Sequence, residues 1–332
     1  STPNVYIISW FYYQNLVKPM YDKVTFFIDR SVIEPQCNLA SYLDNIMQVT
    51  DMETGEIKFL GEIENLRASV RFNGVFITGS LPKYIYGDNI HVLDRRATTQ
   101  AIEKISDNLH FDVSLAKVTG LEFGANFVLS KPVEEYLTRL GNMPRLERYG
   151  FNPSAIYYKG RGKKQQKVVA FYDKIAEAKE KNNEIPVGLD KAYILRYELR
   201  LRNHLARQMQ EQQVTASMLT DLNFYRGLLD RYQRYYFSII KRRKSKSNVM
   251  EEIKSVKDAR DVLMSKLINK AGEGVVEDFI RDLKEASVFK DPKYYSRLKK
   301  ELQGIATKSD FTEDDDLIKE LDDEVKNCGA YY

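Results

Sequence analysis

Histidine and cysteine are scarce in this chain of 332 residues, which contains three histidines and two cysteines. The two cysteines, Cys37 and Cys328, are too few for a disulfide framework, so we expect the reducing environment of a cytoplasm. No CxxC or HxxxH spacing occurs in the sequence, and this absence argues against the usual structural zinc sites.

Long apolar runs are absent as well, because no stretch reaches the roughly 18 apolar residues that a membrane-spanning helix needs. The apolar opening VYIISWFYY is short, and it has neither a basic flank before it nor a small-residue cleavage site after it. We therefore expect no membrane partner and no signal peptide.

Charge is unevenly distributed along the chain, although the net charge is only +4. Residues 304–332 contain nine acidic residues and three lysines, a net charge of −6, so the preceding 303 residues carry +10. A basic body fits a protein that binds a polyanion such as nucleic acid. The acidic end also fits a solvated charged helix at the end of a globular protein, and both interpretations stay open at this point.

Strand-like and helical patterns alternate over the first two-thirds of the chain, and helical patterns alone follow about residue 205. Strands are predicted over 21–30, 113–129, 155–160, 167–172 and 193–202, with a meander of hairpins over 47–85. Helical spacing predicts helices over 95–109, 131–141 and 175–182. The fold class is therefore α+β, with a sheet-bearing domain over 1–205, an all-α accessory region over 206–303 and an acidic tail over 304–332.

Three of the predicted strands carry polar residues on one face, because successive side chains of a strand point in opposite directions. The polar faces are Arg196, Glu198, Arg200 and Arg202 in one strand, and Gly120, Glu122, Gly124 and Asn126 in another. In the third, Tyr172 and Lys174 point the same way. If these strands are neighbours in a sheet, one face presents Glu122, Glu198, Tyr172 and Lys174 together.

Two carboxylates without histidine or cysteine suit a hard divalent cation such as Mg²⁺ or Mn²⁺, with Asn126 as a further oxygen ligand. Such a cation would bind a phosphate oxygen, and the Tyr172 phenol could attack the phosphorus while Lys174 balances the charge. A glutamate flanked by arginines also fits a surface ion-pair ladder, and Tyr172 also fits simple core packing. The residues alone leave these alternatives open.

Basic residues offer contacts for a DNA backbone at three places. One is the arginine-rich strand, with Arg196, Arg200 and Arg202. Another is the loop KGRGKKQQK, with Lys159, Arg161, Lys163, Lys164 and Lys167. The last is the segment RYQRYYFSIIKRRKSK, which ends with Lys241, Arg242, Arg243 and Lys244 and is also typical of a core-facing aromatic stripe with a basic outer face.

Three short motifs, GLEFGAN (120–126), VAFYDK (169–174) and LRYELRL (195–201), occur in an order that resembles a known family. They are similar to the replication initiators of filamentous phages and of rolling-circle plasmids with the transposase-like Rep domain. The resemblance covers roughly residues 60–240. Glu122 stands where the family usually has aspartate, Gly120 replaces its arginine, and Asn126 stands where plasmid relatives often have a second acid.

The resemblance implies an antiparallel-sheet nicking domain of the HUH-like endonuclease class, lacking the paired histidines that name that class. It implies that Tyr172 is the nucleophile, that Lys174 assists at the phosphate and that Glu122 and Glu198 are metal ligands. The expected partners are single-stranded and duplex origin DNA, a helicase and polymerase of the bacterial host, and a second copy of the chain as a homodimer. A mobilisation relaxase, a non-catalytic nucleic-acid-binding replication regulator and, more remotely, a two-carboxylate glycosidase are the alternatives.

Overall fold

The computed structural model describes residues 18–34, 38–88, 93–160, 166–183, 185, 188–271 and 275–329, so the apolar opening segment and Cys37 lie outside the described residues. A ten-stranded antiparallel sheet runs through the first two-thirds of the chain, in the order β2-β3-β4-β5-β1-β6-β10-β9-β8-β7. Its strands are β1 (Met20–Asp29), β2 (Asp44–Thr50), β3 (Ile57–Ile63), β4 (Leu66–Arg71), β5 (Gly74–Ser80), β6 (Lys117–Leu129), β7 (Glu147–Asn152), β8 (Ala155–Lys159), β9 (Lys167–Asp173) and β10 (Tyr193–Arg202).

Ten α-helices lie within the described residues. They are α1 (Leu81–Tyr86), α2 (Arg95–Leu109), α3 (Val133–Leu137), α4 (Lys174–Glu180), α5 (Leu205–Met209), α6 (Leu222–Phe237), α7 (Val256–Ala271), α8 (Val275–Glu285), α9 (Lys293–Ala306) and α10 (Asp316–Asn327). None of the helices in the described part of the chain is both long and apolar enough to cross a membrane. The mixed α+β class is thus confirmed.

The main core lies between one face of the sheet and a layer of helices. Apolar residues of the central strands, such as Phe123, Phe171 and Tyr197, pack against Tyr232 and Tyr236 of α6. Burial of this face follows from the alternation, since β6 and β10 place their apolar side chains at every second residue. The opposite face of the same strands therefore receives the polar residues and is called the polar face below.

Local sequence signals set several boundaries. The side chain of Asp94 caps α2 by accepting a hydrogen bond from the backbone N–H of Ala97, at 2.6 Å. His110 ends that helix in the left-handed conformation, with φ of 49°. As a result α2 has the bounds predicted from helical spacing, and β10 likewise has its predicted bounds.

The region after residue 205 differs from the prediction. It is not all helix, because β11 (Arg243–Ser245) and β12 (Thr312–Asp314) form a separate two-stranded antiparallel sheet. Strands of three residues are too short to produce an alternating pattern, which is why the sequence did not indicate them. Helices α7, α8 and α9 pack around a small core of their own that includes Val276, Ile280 and Tyr295.

The acidic segment 304–332 contributes a packed helix. Ile318, Leu321 and Val325 of α10 are buried in the main core of the sheet region. Gln233 of α6 donates hydrogen bonds from Nε2 to the carbonyl oxygens of Val325 and Lys326, at 2.9 and 3.0 Å. The acidic residues of this helix therefore lie on the outer side of an element that is part of the core, not on a detached solvated helix.

Candidate active site

The switch from β9 to α4 sets the positions of Tyr172 and Lys174. Asp173 ends the strand, and its Oδ1 accepts hydrogen bonds from the backbone N–H groups of Ile175 and Ala176, both at 2.8 Å. This cap starts the helix directly after the strand. Tyr172 therefore keeps its position on the polar face of the sheet, while Lys174 begins the helix that covers one end of that face.

Glu198, in the middle of β10, is the acceptor at the centre of the cluster. Its Oε1 accepts a hydrogen bond from the Tyr172 hydroxyl at 2.8 Å and one from Nε of Arg196 at 3.0 Å. Its Oε2 accepts two from Arg200, at 2.9 Å from Nε and 2.6 Å from Nη2. The carboxylate is buried and is held by four donor atoms, so the structure brings Tyr172 and Glu198 into direct contact.

Arg196 is buried at the centre of three oxygen groups. Besides Glu198, its guanidinium contacts Oδ2 of Asp22 at 3.1 Å and Oδ1 of Asn126 at 3.3 Å. Asp22 itself accepts a 2.6 Å hydrogen bond from the hydroxyl of Ser80. Here an internal cation lies where the oxygen atoms converge, so Arg196 as described is an ion-pair centre and not a surface contact for DNA.

Asp22 is a residue of this cluster that the sequence did not indicate. Alternation along β1 would place it on the polar face, but the pairing of β1 with β6 shifts between Tyr21 and Val24. A bulge of this kind changes the phase of the alternation, so a simple count along the strand becomes ambiguous. The charged residue inside an otherwise apolar strand was the available signal.

Glu122 lies at the more accessible side of the cluster. Its side chain is 16% exposed, and its Oε1 is 3.6 Å from Nη2 of Arg202 and 3.9 Å from Nε of Arg200. Neighbouring Gly124 carries no side chain because a Cβ there would lie 2.8 Å from Cγ of Glu198 and 2.5 Å from the carbonyl oxygen of Tyr197. The space beside this glycine is thus filled by the cluster itself.

Burial and charge shift the ionisation of the cluster in opposite directions. Burial would raise the pKa of Glu198, but Arg196 and Arg200 outweigh it and lower this pKa to about 2. Burial and the nearby Glu198 raise the pKa of Glu122 and also raise that of the Tyr172 phenol. Glu198 is therefore a firmly ionised acceptor, Glu122 is the carboxylate that takes up a proton more readily, and Tyr172 is a phenol, not a phenolate.

Lys174 is fully buried, with its Nζ 2.9 Å from Oε2 of Glu177 in the same helix. Burial and the charge of Arg196 lower the pKa of this lysine, although Glu177 opposes the shift. Glu177 also pairs with Lys181 one turn along. An ammonium group with a lowered pKa gives up its proton more easily, which suits a proton donor beside a phosphate.

The predicted Mg²⁺ or Mn²⁺ stays a prediction. The donor types fit a hard cation, because Asp22, Glu122, Asn126 and Glu198 offer oxygen atoms only. Their present arrangement is different, since hydrogen bonds from Tyr172, Arg196 and Arg200 occupy both oxygen atoms of Glu198. Among the described residues, no three histidine, cysteine or acidic side chains are grouped as a metal site.

Two predicted DNA contacts flank the cluster in different ways. Lys159 lies on the polar face, with Nζ 5.1 Å from the ring centre of Tyr157 and 5.6 Å from that of Tyr149. Lys167 points to the helical side instead, where its Nζ lies 4.3 Å from the ring centre of Tyr235. Arg161, Lys163 and Lys164 lie outside the described residues.

The basic run 241–244 lies apart from the cluster, beside the acidic segment. Lys241 pairs with Asp322 at 2.7 Å, and Lys244 lies 3.3 Å from Asp316. Arg243 donates a hydrogen bond from Nε to Oγ1 of Thr312 at 2.9 Å, and the backbone N–H of Arg242 bonds to the carbonyl oxygen of Arg139 at 2.9 Å. Acidic and basic segments of opposite charge thus meet within the fold.

An antiparallel sheet with a tyrosine, acids and arginines on one face fits a protein that acts on a nucleic-acid backbone. Residues 20–224 match the family model of the phage replication-associated protein, N-terminal region, which covers well over half of the chain. The chain therefore belongs to this family, the replication-associated proteins of rolling-circle phages. Among curated proteins, none matches the chain.

Proposed function

We propose that the protein nicks and rejoins one strand of DNA at a phage or plasmid replication origin, with Tyr172 as the nucleophile. The observation that carries this proposal is the 2.8 Å hydrogen bond from the Tyr172 hydroxyl to Glu198, within a group of acids and cations on one sheet face. Family membership supports the role in rolling-circle replication. A tyrosine that packs only through its ring would not need this set of charged partners.

The chemistry is a transesterification. The Tyr172 oxygen forms a bond to phosphorus, and the bond from that phosphorus to the 3′ oxygen of the preceding nucleotide breaks. Glu198 orients the phenol and accepts its hydrogen bond, and Lys174 is positioned to give a proton to the departing oxygen. The products are a 5′-phosphotyrosine and a free 3′ hydroxyl, and the reverse reaction rejoins the strand without an external energy source.

A bound Mg²⁺ or Mn²⁺ would supply Lewis-acid polarisation of the phosphate. Glu122 is the first ligand we assign to it, because this carboxylate is the more accessible one and lies outside hydrogen-bonding distance of both arginines. Asn126 and Glu198 would join only if the arginine contacts to Glu198 rearrange. The proposed roles of Tyr172, Lys174 and Glu198 depend on their own contacts.

The Tyr172 side chain is only 7% exposed, and it packs with Ala155, Ala170 and Tyr157. An attacking phenol must reach a phosphorus atom, so the reaction requires the hydroxyl to leave Glu198 and become accessible. The same contacts would suit a regulator that binds origin DNA without cutting it, with Tyr172 as a structural residue. This is the second candidate, and it predicts binding without covalent attachment.

A single experiment separates the two candidates. The protein is incubated with labelled single-stranded origin DNA and Mn²⁺, and mass spectrometry of the digested adduct locates the modified residue. We expect a phosphodiester adduct on Tyr172, lost in Tyr172→Phe and kept in Tyr157→Phe, which changes a neighbouring tyrosine on the same face. Equal DNA binding by all three proteins with no adduct on any of them would favour the regulator.

A further inference from the structure

An aromatic pair lies on the polar face, away from the tyrosine cluster. Phe27 of β1 and Phe76 of β5 are cross-strand partners with ring centres 4.7 Å apart. Both rings are partly exposed, whereas the alternate residues Phe26 and Ile77 are buried in the core. Apolar rings on the side of the sheet away from the core require an explanation other than core packing.

Cations accompany both rings. The guanidinium carbon of Arg71 lies 5.1 Å from the ring centre of Phe76, and Nζ of Lys117 lies 6.0 Å from that of Phe27. Asp29, 3.8 Å from Lys117, is a nearby acid. Aromatic rings beside exposed arginine and lysine are the combination that binds single-stranded nucleic acid, with rings for the bases and cations for the phosphates.

The aromatic pair and the tyrosine cluster are joined along the face. Going down β6 from Glu122, the next polar-face position is Gly120, which lies between Thr25 on β1 and Arg202 on β10. Lys117 and its partner Phe27 follow. Five residues of strand place the pair about 16 Å from Glu122. Gly120 lacks a side chain, and a Cβ there would approach only the Leu201 carbonyl oxygen, at 3.3 Å, so this part of the face is low.

We propose that Phe27 and Phe76 form a stacking site for a base of single-stranded DNA, whose backbone continues past Gly120 and Arg202 to the tyrosine cluster. The burial gradient supports this direction, because the side chain of Arg202 is 52% exposed, that of Glu122 16% and that of Glu198 2%. The position of the reacting phosphate rests on the proposed function, whereas the stacking site rests on the aromatic pair and its cations.

The test measures binding without cleavage. Fluorescence anisotropy with a labelled oligothymidylate of about 20 nucleotides, longer than a single-strand site, is recorded in the presence of a chelator. We expect Phe76→Ala and Phe76→Leu to weaken binding about 10-fold, since stacking needs the flat ring and not only apolar volume. Phe279→Ala is the matched control, because this phenylalanine of α8 is 49% exposed and lies in the helical region.

Photocrosslinking gives the location directly. An oligonucleotide with 5-iododeoxyuridine at successive positions should crosslink to Phe27 or Phe76, and the affinity for a duplex of equal length should not change in the variants. Binding within two-fold of wild type in both Phe76 variants, or crosslinks that map elsewhere, would overturn the stacking site. Failure of the nicking proposal would appear separately, as the absence of a Tyr172 adduct while the Phe76 effect persists.

Discussion

Removal of Arg196 is expected to destabilise the protein strongly, because this side chain is the buried cation that Glu198 and Asp22 share. Arg196→Met keeps much of the side-chain volume but leaves the two carboxylates without their common partner. Breaking a buried ion pair in this way costs about 3–5 kcal/mol. The depressed pKa of Glu198 gives a similar scale, since a change from 4.5 to about 2 corresponds to roughly 3 kcal/mol.

The pH dependence adds a second signature. A carboxyl group whose pKa is lower in the folded state stabilises the fold above its unfolded pKa, and this contribution is lost as pH falls through the folded value. The contribution of Glu198 is therefore present at neutral pH and lost between 4.5 and about 2. The difference between wild type and Arg196→Met should accordingly narrow as the pH falls through this window.

Chemical denaturation followed by circular dichroism at neutral and acidic pH measures both effects. Arg202→Met is the matched control, since this arginine lies on the same strand and the same face but is 52% exposed and 3.6 Å from its acidic neighbour. Exposed pairs of this kind contribute about 0–1 kcal/mol. Equal, small losses of unfolding free energy in the two variants would refute the buried-cation reasoning.

Two further changes probe the acidic segment and the buried lysine. Leu321→Ala should reduce the free energy of unfolding by about 2–5 kcal/mol, because Leu321 is fully buried in the main core, whereas Leu263→Ala, at a 58% exposed position, should change it by roughly 0.5 kcal/mol. Similar values for both would show that the final helix does not contribute to the core. Lys174→Met should slow nicking by about 100-fold with little loss of stability, because Glu177 keeps Lys181 as a partner. Since the pKa of Lys174 is lowered on folding, wild type should gain stability relative to this variant as pH rises through that value, and a parallel pH dependence of the two proteins would contradict the assignment.

The periodic elements could be predicted because their signals are local. The ten residues of β10 alternate cleanly, and α2 combines helical spacing with an aspartate cap, so their bounds follow from the sequence. Strand β7 was missed, as was the pairing of β11 with β12, because short strands beside turns carry little periodicity. The basic run and the acidic end were both recognised, but not that Lys241 and Asp322 pair across the fold.

The candidate site shows the same division. Alternation was sufficient to place Glu122, Glu198 and Tyr172 on one face once the strands were assumed to be neighbours. It could not reveal that Arg196 would be buried between Asp22 and Glu198, because that contact depends on how β1 lies against β6 around a bulge. Nor could it show that Lys167 points away from the cluster, since one residue of phase reverses the direction of a side chain.

By itself the sequence determined which side chains share a strand face, where α2 and β10 begin and end, and that the chain has a basic body and an acidic end. These are properties of neighbours along the chain. Only the tertiary structure decided that a guanidinium lies among the oxygen atoms and that the acidic helix belongs to the core. Those outcomes depend on strand order and on burial, which raise or lower the cost of each charge and are set by residues far apart in sequence.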